Sequence, residues 1–397
     1  MKLDEVFRIP TADYRAGIAK RFPSLTPVLS GLMPCILYPA GRMARCAAPK
    51  LLQRGVDVKA FSDGDASRWG TVLDGLPLIP PEEIAVRHPG AAVLIATSLH
   101  DSVIAEGLRV LGCSLIYPMP YLNYSLPEIF VSREYDHLFD AAANRDNHAI
   151  MQKVWDLVLD DESRIVFRSK LSYMLTLDKA YLETIRTSRP IYFDSGIAPL
   201  SQAEVFADGG AFTGDTMRDF LRVTVGAYRE YHAFEPDEKN LERLQVTART
   251  DPSRIHVVQA GLAERSGRQF FTSTGSHDAK FTNTGDKGST SLPVVSLDDY
   301  FQRREPPTFI KLDVEGSEAG ALKGGAGLIK GHTPQIATSV YHNPHDLWEL
   351  PGLLHSLNGD YRFVFRHYTH EIDDTVCYAI PYRGLLVPKI TAVEGVA

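Results

Sequence analysis

The sequence predicts an α/β protein with two doubly wound, Rossmann-like domains joined by a helical segment. Two observations predict this fold. Short apolar runs alternate with helical stretches in two separate parts of the chain, and 397 residues are more than one hydrophobic core usually serves. The predicted segments are a helical lead-in, a small Rossmann-like domain, a helical bridge and a larger C-terminal domain, over residues 1–33, 34–120, 121–190 and 191–397.

Four apolar runs, each followed by a turn or a helical stretch, predict the parallel sheet of the first domain. They cover residues 35–38, 56–61, 93–97 and 114–117. The turn after the first run has one glycine, Gly41, where a dinucleotide fingerprint needs two or three. A resemblance to the small Rossmann-like domain beside several sugar-modifying enzymes rests on YPAG at 38–41, Asp63, Gly70 and GLP at 75–77. We therefore favour scaffolding, dimerisation or substrate docking over cofactor binding there.

Prolines at 118, 120 and 127 predict a linker over residues 118–125. Residues 132–187 are then predicted to be mostly helical, because apolar residues recur there at helical spacing. We favour a bridge that packs on both domains. The alternative is a lid over the cofactor pocket, with Tyr173 near the ligand.

The larger domain is organised around residues 205–216, VFADGGAFTGDT. An apolar run ends at the acid Asp208, a glycine-rich turn follows, and a helical stretch begins near Met217. Glycine allows positive φ, and its missing Cβ lets a ligand lie close to the main chain. The spacing predicts a strand whose carboxyl end opens into a ligand-binding turn.

The next predicted strand, residues 231–234, ends in Glu235 and Pro236. An acid there, about 20 residues after a glycine-rich turn, is placed to accept hydrogen bonds from ribose hydroxyls. The two features together predict an adenosine-type ligand. The alternative is a structural turn with a surface glutamate.

Further strands complete the second sheet, and the last two are expected to form an antiparallel hairpin. They cover residues 255–259, 309–312, 335–341, 361–367 and 375–380. A Gly/Ser/Thr/Asn-rich stretch over residues 272–290 is a candidate substrate lid.

A set of short motifs in the C-terminal half carries a resemblance to a known family. The motifs are FADGGAFTGDT at 206–216, FEP at 234–236, SLD at 296–298, IKLDVEGSE at 310–318 and SVYH at 339–342. In this order they resemble the FkbM family of S-adenosylmethionine-dependent methyltransferases, over residues 190–382. The resemblance implies S-adenosylmethionine as cofactor and a seven-stranded sheet with an antiparallel last strand.

The resemblance also assigns residues to the cofactor and the acceptor. Turn residues would line the methionine and sulfonium end, Glu235 would hold the ribose, and the turn at 260–262 would flank the adenine. Asp313 and Glu315 would face the methyl group and the acceptor. The predicted cofactor-binding residues are Asp208, Gly209, Gly210, Phe212, Gly214, Thr216, Glu235, Pro236, Gly261, Leu262 and Asp313.

Methyl transfer to a neutral hydroxyl needs a group that removes the hydroxyl proton. His342, at the end of a predicted strand, is the first candidate base, because an ordinary imidazole pKa of about 6.5 suits that task and Asp313 could orient the ring. The alternative is a surface histidine. Asp313 and Glu315 could bind a divalent cation through oxygen, but without a third carboxylate in register a metal is not favoured.

Composition and charge argue against several other classes of protein. Hydrophobic residues make up 44% and charged residues 23% of the chain, as in ordinary globular proteins, and the net charge of −7 does not favour a nucleic-acid partner. No apolar run reaches the ~18–20 residues that span a bilayer, and the N-terminus lacks a signal peptide's apolar core. The four cysteines lack metal-ligand spacing, which predicts reduced thiols in a cytoplasmic protein.

We therefore expect an O-methyltransferase that uses S-adenosylmethionine and acts on a hydroxyl of a sugar, glycan or natural product. One alternative is a nucleotide-sugar- or NAD-binding enzyme with its chemistry in the first domain. Another is an inactive scaffold that keeps the fold. A homodimer is compatible with the sequence, which identifies no interface.

Overall fold

The structure, a computed structural model, describes residues 3–97, 100–131, 135, 137–272, 280–282 and 290–382. The chain divides into two compact units. The first is Met1–Arg145 with Lys170–Leu182, and the second is Asp146–Ser169 with Glu183–Ala397. The division falls inside the predicted helical bridge, and the four predicted domain ranges stay a prediction.

The first unit contains a six-stranded sheet. Its strands are β1 (Cys35–Tyr38), β2 (Val58–Ser62), β3 (Val72–Leu73), β4 (Leu76–Ile79), β5 (Ala92–Ile95) and β6 (Ile116–Tyr117). The spatial order is β3-β4-β2-β1-β5-β6, and all neighbours are parallel except β3 and β4. The central strands are continuous buried apolar runs, as expected of a sheet covered by helices on both faces. The predicted mainly parallel sheet is confirmed, and the unit resembles a Rossmann-like domain.

The helices up to residue 147 include the predicted lead-in. They are α1 (Asp4–Phe7), α2 (Thr11–Arg21), α3 (Thr26–Leu29), α4 (Arg42–Gln53), α5 (Ile84–Arg87), α6 (Asp101–Val110), α7 (Met119–Ser125) and α8 (Leu138–Ala143), with 3-10 turns at Ala66–Arg68, Pro81–Glu83 and Arg145–Asn147. The predicted linker over residues 118–125 is wrong, because α7 occupies it. Pro120 stands in the first turn of α7, where a missing N–H costs nothing, and the apolar face of this helix is buried.

The second unit contains a seven-stranded sheet and a four-stranded sheet. Its strands are β7 (Val205–Gly209), β8 (Glu230–Phe234), β9 (Ile255–Val258), β10 (Gly261–Leu262), β11 (Gly267–Thr272), β12 (Lys280–Thr282), β13 (Thr290–Val295), β14 (Phe309–Leu312), β15 (Gln335–Ser339), β16 (Tyr361–His367) and β17 (Thr375–Pro381). The remaining helices of the chain are α9 (His148–Asp156), α10 (Asp161–Thr176), α11 (Ala180–Glu183), α12 (Asp215–Thr224), α13 (Glu238–Ala248), α14 (Leu297–Phe301), α15 (Glu318–Gly324), α16 (Ala326–His332) and α17 (Asp346–Leu357).

The seven strands lie in the order β16-β17-β15-β14-β7-β8-β9. Strands β15, β14, β7, β8 and β9 are parallel, whereas β17 is antiparallel to both β15 and β16. The predicted strands and the C-terminal hairpin are confirmed. The chain runs outward from β7 through β8 to β9 and then returns to β14 on the other side of β7. Ligands bind in open α/β sheets at such a reversal, at the carboxyl ends of the strands.

The smaller sheet has the order β10-β13-β11-β12. The predicted lid over residues 272–290 falls largely on 273–279 and 283–289, which lie outside the described residues. Strand β12 lies between those two stretches and pairs with β11.

Aromatic packing holds the centre of the large sheet. The Phe206 ring stacks on Tyr231 of β8 at 5.2 Å and on Phe309 of β14 at 5.0 Å, and it meets Phe220 of α12 at 4.9 Å. All four rings are buried. Because these rings pack β7 tightly against β8 and β14, the residues that follow the three strands have fixed positions. No helix within the described ranges is long and apolar enough to cross a bilayer.

Candidate active site

The glycine-rich turn joins β7 to α12, and its backbone requires glycine. Gly210 and Gly214 have φ values of 78° and 82°, in the left-handed region. A Cβ on Gly210 would lie 1.9 Å from the carbonyl oxygen of Asp313. We expected the missing side chain to make room for a ligand. The close neighbour is instead the protein's own backbone after β14, so the turn and the end of β14 are pressed together.

Below this turn lies a buried charged pair. The Lys311 ammonium lies 3.1 Å from Asp208 Oδ1, and Tyr231 Oη donates to Asp208 Oδ2 at 2.5 Å. Lys311 Nζ also donates to the carbonyls of Gly209 and Gly210, at 3.2 and 2.8 Å. Burial raises the pKa of the Asp208 carboxyl, whereas the pKa of Lys311 is raised by the Asp208 charge against the opposing effect of burial.

This pair corrects the expected position of Asp208. Its side chain has no exposed surface and contacts Lys311 and Tyr231 within the sheet, so it does not line an open pocket. Asp208 positions Lys311, and Lys311 holds the carbonyls of the turn.

Asp313 follows β14 and is the polar centre of this edge of the sheet. Its Oδ1 accepts hydrogen bonds from Ser339 Oγ at 2.7 Å and Tyr341 Oη at 3.3 Å, and its Oδ2 accepts one from Tyr192 Oη at 3.2 Å. Burial alone would raise the pKa of Asp313, but Lys311, His342 and the hydroxyls of Ser339 and Tyr192 hold it below its ordinary value. The side chain is 27% exposed, so an ionised carboxylate is accessible at the reversal point.

His342 follows β15 and lies among three carboxylates. Its Nδ1 is 2.8 Å from Glu318 Oε1, and its Nε2 is 3.6 Å from Asp313 and 3.5 Å from Glu315. Burial would lower the pKa of His342, but the charges of Glu318, Asp313 and Glu315 raise it to about 10. The expectation that His342 has an ordinary pKa of about 6.5 is therefore wrong. At neutral pH the ring is a cation that holds the carboxylates together.

Glu235 lies at the end of β8 beside the turn. Its Oε2 accepts the backbone N–H of Phe212 at 2.9 Å, and its Oε1 accepts the backbone N–H of Asp237 at 2.8 Å and the side-chain amide Nδ2 of Asn240 at 3.3 Å. Burial raises the pKa of Glu235, although these three donors oppose the shift. A carboxylate has about four lone-pair sites, so Oε2 can still accept a hydroxyl.

A comparison with sequence families agrees with this geometry. Residues 208–376 match the profile of the methyltransferase FkbM domain. The second unit carries a methyltransferase FkbM domain.

Solved structures extend the likeness beyond this domain. The crystal structure of methyltransferase FkbM from Methylobacillus flagellatus KT is 26% identical, with a TM-score of 0.69 over 95% of each chain. Aeropyrum pernix fibrillarin with natively bound S-adenosyl-L-methionine is 12% identical, with a TM-score of 0.32 over 47% of this chain and 71% of that one, which is too weak to carry an argument. No curated protein gave a significant match. The methyltransferase fold implies S-adenosylmethionine as cofactor.

The FkbM domain brings most of the predicted cofactor residues to one edge of the sheet. Phe212 is 41% exposed on a left-handed backbone, and Thr216 is buried at the start of α12. Gly261 and Leu262 form β10, and a Leu262 methyl would lie 2.7 Å from a Cβ on Gly209. Strand β10 therefore packs against the end of β7, where the glycine-rich turn begins. Pro236 follows Glu235 and is half-buried.

The second unit also contains site residues that the sequence analysis missed. They are Tyr192, Tyr231, Lys311, Glu318, Ser339 and Tyr341. Lys311 and Glu318 lie inside the IKLDVEGSE motif, and a lysine in an otherwise apolar strand is a signal of a paired buried charge. Nothing in the local sequence marks Tyr192, which contacts Asp313 from 121 positions away.

Three side chains of this site could also hold a metal ion. Donor atoms of Asp313, Glu318 and His342 lie within 4.8 Å of one another, close enough for one cation. The same side chains also satisfy one another as an ion-pair network, since His342 Nδ1 is bonded directly to Glu318.

The first unit offers a weaker candidate for cofactor chemistry. The acid after β2, Asp63, accepts the backbone N–H of Ala40 at 3.0 Å and pairs with Arg68 at 3.0 Å. Arg68 also donates to the Ala40 carbonyl at 3.0 Å. The turn after β1 is thus held by protein groups at the place where a dinucleotide would need it open.

Proposed function

We propose that the protein transfers the methyl group of S-adenosylmethionine to a hydroxyl oxygen of a sugar, glycan or natural product. The observation that carries this proposal is the partly exposed Asp313 carboxylate, held by three hydroxyl groups beside the glycine-rich turn. An ionised carboxylate recognises a hydroxyl group as a hydrogen-bond donor. Its neighbours Glu315, Ser339 and Tyr341 suit an acceptor with several hydroxyls.

The residues around the turn fit the adenosine and methionine parts of the cofactor. Glu235 keeps acceptor capacity at Oε2 for the ribose hydroxyls. We propose that the backbone from Gly210 to Gly214, with Phe212 and Thr216, contacts the methionine end, and that the segment around Gly261 and Leu262 contacts the adenine. When bound, the cofactor supplies an electrophilic methyl group on a sulfonium.

The residues of the chain would then position the hydroxyl for in-line attack. Holding nucleophile and methyl near attack distance can supply ~7–11 kcal/mol of the barrier reduction. We propose that Asp313 accepts the hydrogen bond of the attacking hydroxyl and fixes the direction of its lone pair. Charged His342 holds Asp313 and Glu315 in place, with buried Glu318 behind it.

In this proposal the base is no longer His342, the first candidate from the sequence. A histidine with a pKa near 10 carries its proton at neutral pH and cannot accept another. The proton then passes to a carboxylate, Asp313 or the 32% exposed Glu315. His342 would be a positioning residue, unless turnover rises with pH toward about 10.

Calorimetry with S-adenosylhomocysteine, NAD and a nucleotide sugar tests the cofactor, and transfer of labelled methyl from S-adenosylmethionine to a panel of sugars and polyols tests the acceptor. We expect micromolar binding of S-adenosylhomocysteine alone. The D313N variant should retain that binding and lose methyl transfer, whereas E242Q, an exposed acid on α13, should retain both. Binding of NAD or nucleotide sugar instead would move the chemistry to the first unit.

A cytoplasmic location and a homodimer also belong to the proposal. Light scattering of the purified chain and fractionation of cells that express it would test the two statements separately.

A further inference from the structure

A second cluster of ligand-type side chains lies on β8 and β9, apart from the candidate active site. Glu230 and His232 are two positions apart on β8 and therefore face the same side, and His256 lies directly opposite His232 on the edge strand β9. The two imidazole rings stack at 4.8 Å with an interplanar angle of 20°. Glu230 begins β8, whereas Glu235 follows its other end, so the cluster lies several residues away from the cofactor edge.

The donor atoms of these three residues lie close together. His232 Nε2 is 3.0 Å and His256 Nε2 is 3.8 Å from the same Glu230 oxygen, and all three atoms lie within 4.8 Å of one another. A tetrahedral zinc with bonds of about 2.0–2.1 Å separates neighbouring ligand atoms by about 3.3 Å. The two distances to Glu230 bracket this value. A metal lies in the plane of each imidazole that binds it, so the exposed His256 ring would have to turn out of the stack to complete the third coordination position.

The surroundings match a metal-bound histidine in one further respect. The other nitrogen of His232, Nδ1, lies 3.1 Å from Tyr300 Oη. Metal-binding histidines usually donate this second N–H to an outer partner, which fixes the tautomer and aims the free nitrogen at the metal. The Phe301 ring packs edge-on against His232 at 5.0 Å, so the imidazole is clamped by α14.

Access and charge define which ion could bind. His232 is buried, but His256 is 41% and Glu230 33% exposed, so an ion can enter from solvent and keep water as a fourth ligand. Two imidazoles and one carboxylate favour zinc-class transition metals over magnesium or calcium, which prefer oxygen. Arg304, whose guanidinium lies 4.1 Å from the Tyr300 ring, brings an opposing positive charge.

We propose that Glu230, His232 and His256 form a divalent transition-metal site with two imidazole ligands, one carboxylate ligand and a solvent ligand. The bound ion would tie the edge strand β9 to β8. The site is independent of methyl transfer, and failure of either proposal would leave the other intact.

Zinc titration of the full chain, purified without a histidine tag and stripped with a chelator, tests the proposal. We expect one equivalent of Zn²⁺ to bind with a micromolar or lower Kd and to raise the Tm of the protein. The exposed His256→Ala change should weaken this binding at least tenfold and remove the Tm rise. His332→Ala, which removes an exposed histidine at the end of α16, should leave both unchanged.

Cobalt substitution provides a second measurement. Co²⁺ at this site should give the intense visible absorption of a four-coordinate ion, and His256→Ala should abolish it. Equal zinc affinity of the wild type and His256→Ala, or binding only at millimolar zinc, would overturn the proposal and leave an ordinary glutamate–histidine hydrogen bond.

Discussion

An alanine at position 210 would bring its methyl group to 1.9 Å from the Asp313 carbonyl oxygen. The backbone at Gly210 also has a φ of 78°, which costs an L-residue ~1–2 kcal/mol. Overpacking usually adds ~1–3 kcal/mol, because either the turn or the end of β14 must move. We therefore expect Gly210→Ala to lower the free energy of unfolding by about 2–5 kcal/mol.

Gly226 provides a matched control. Its φ of 80° is nearly the same, but no heavy atom lies within 4 Å of a Cβ built there. Gly226→Ala should therefore show the backbone cost alone, and the difference between the two variants isolates the clash with Asp313.

Scanning calorimetry of the wild type and both variants measures the backbone cost and the added cost of the clash with Asp313. A loss of 1 kcal/mol lowers Tm by about 2–4 °C in a unit of this size, so Gly210→Ala should melt clearly below Gly226→Ala. It should also lose methyl transfer, because the displaced atom belongs to Asp313. Equal Tm values for the two variants would refute the claim that the turn and the end of β14 are in close contact.

Three further predictions follow from the charged groups of the site. Glu235→Gln should weaken S-adenosylhomocysteine binding at least tenfold by calorimetry, since a charge-assisted hydrogen bond contributes ~1.5–3 kcal/mol; unchanged affinity would remove the ribose assignment. Lys311→Met should destabilise by ~3–5 kcal/mol in urea unfolding because it leaves Asp208 buried without its cation, and adding Asp208→Asn should restore part of that loss; a double variant no more stable than the single one would contradict the pairing. His342 has a pKa raised from 6.5 to about 10, so the stability that it contributes is complete below pH 6.5 and lost as pH rises through about 10. The difference in unfolding free energy between wild type and His342→Gln should therefore shrink over that range, and a difference that grows with pH would contradict it.

The seven-stranded sheet of the second unit could be predicted almost completely, because its strands are apolar runs that end in turn residues or acids. The run before Asp208 and the run before Asp313 both precede polar residues, and both are central parallel strands. The helix at Met119–Ser125 was missed because its prolines indicate a turn locally, whereas burial of its apolar face decides the outcome.

The site was predicted less completely than the sheet, because side-chain directions and contacts between distant residues are not contained in a motif. A motif gives the order of residues but not the direction of each side chain. Asp208 and Gly210 lie two positions apart, yet the carboxylate of Asp208 is buried in the sheet, whereas the turn lies at its edge. The pKa of His342 depends on Glu318, 24 positions away in the chain, and so could not be derived from a motif that ends at the histidine.

The contact between Gly210 and Asp313 limits how such an enzyme can change its acceptor. Both belong to a single stiff body, since Lys311 binds the carbonyls on one side and the Asp313 backbone presses on the other. A substitution that re-aims Asp313 toward a new acceptor would also shift the turn at which we propose that the cofactor binds. New specificity would therefore be acquired more readily at positions next to Glu315, which is partly exposed on its own left-handed backbone. Laboratory evolution for a new acceptor should accumulate changes around that residue and spare the turn.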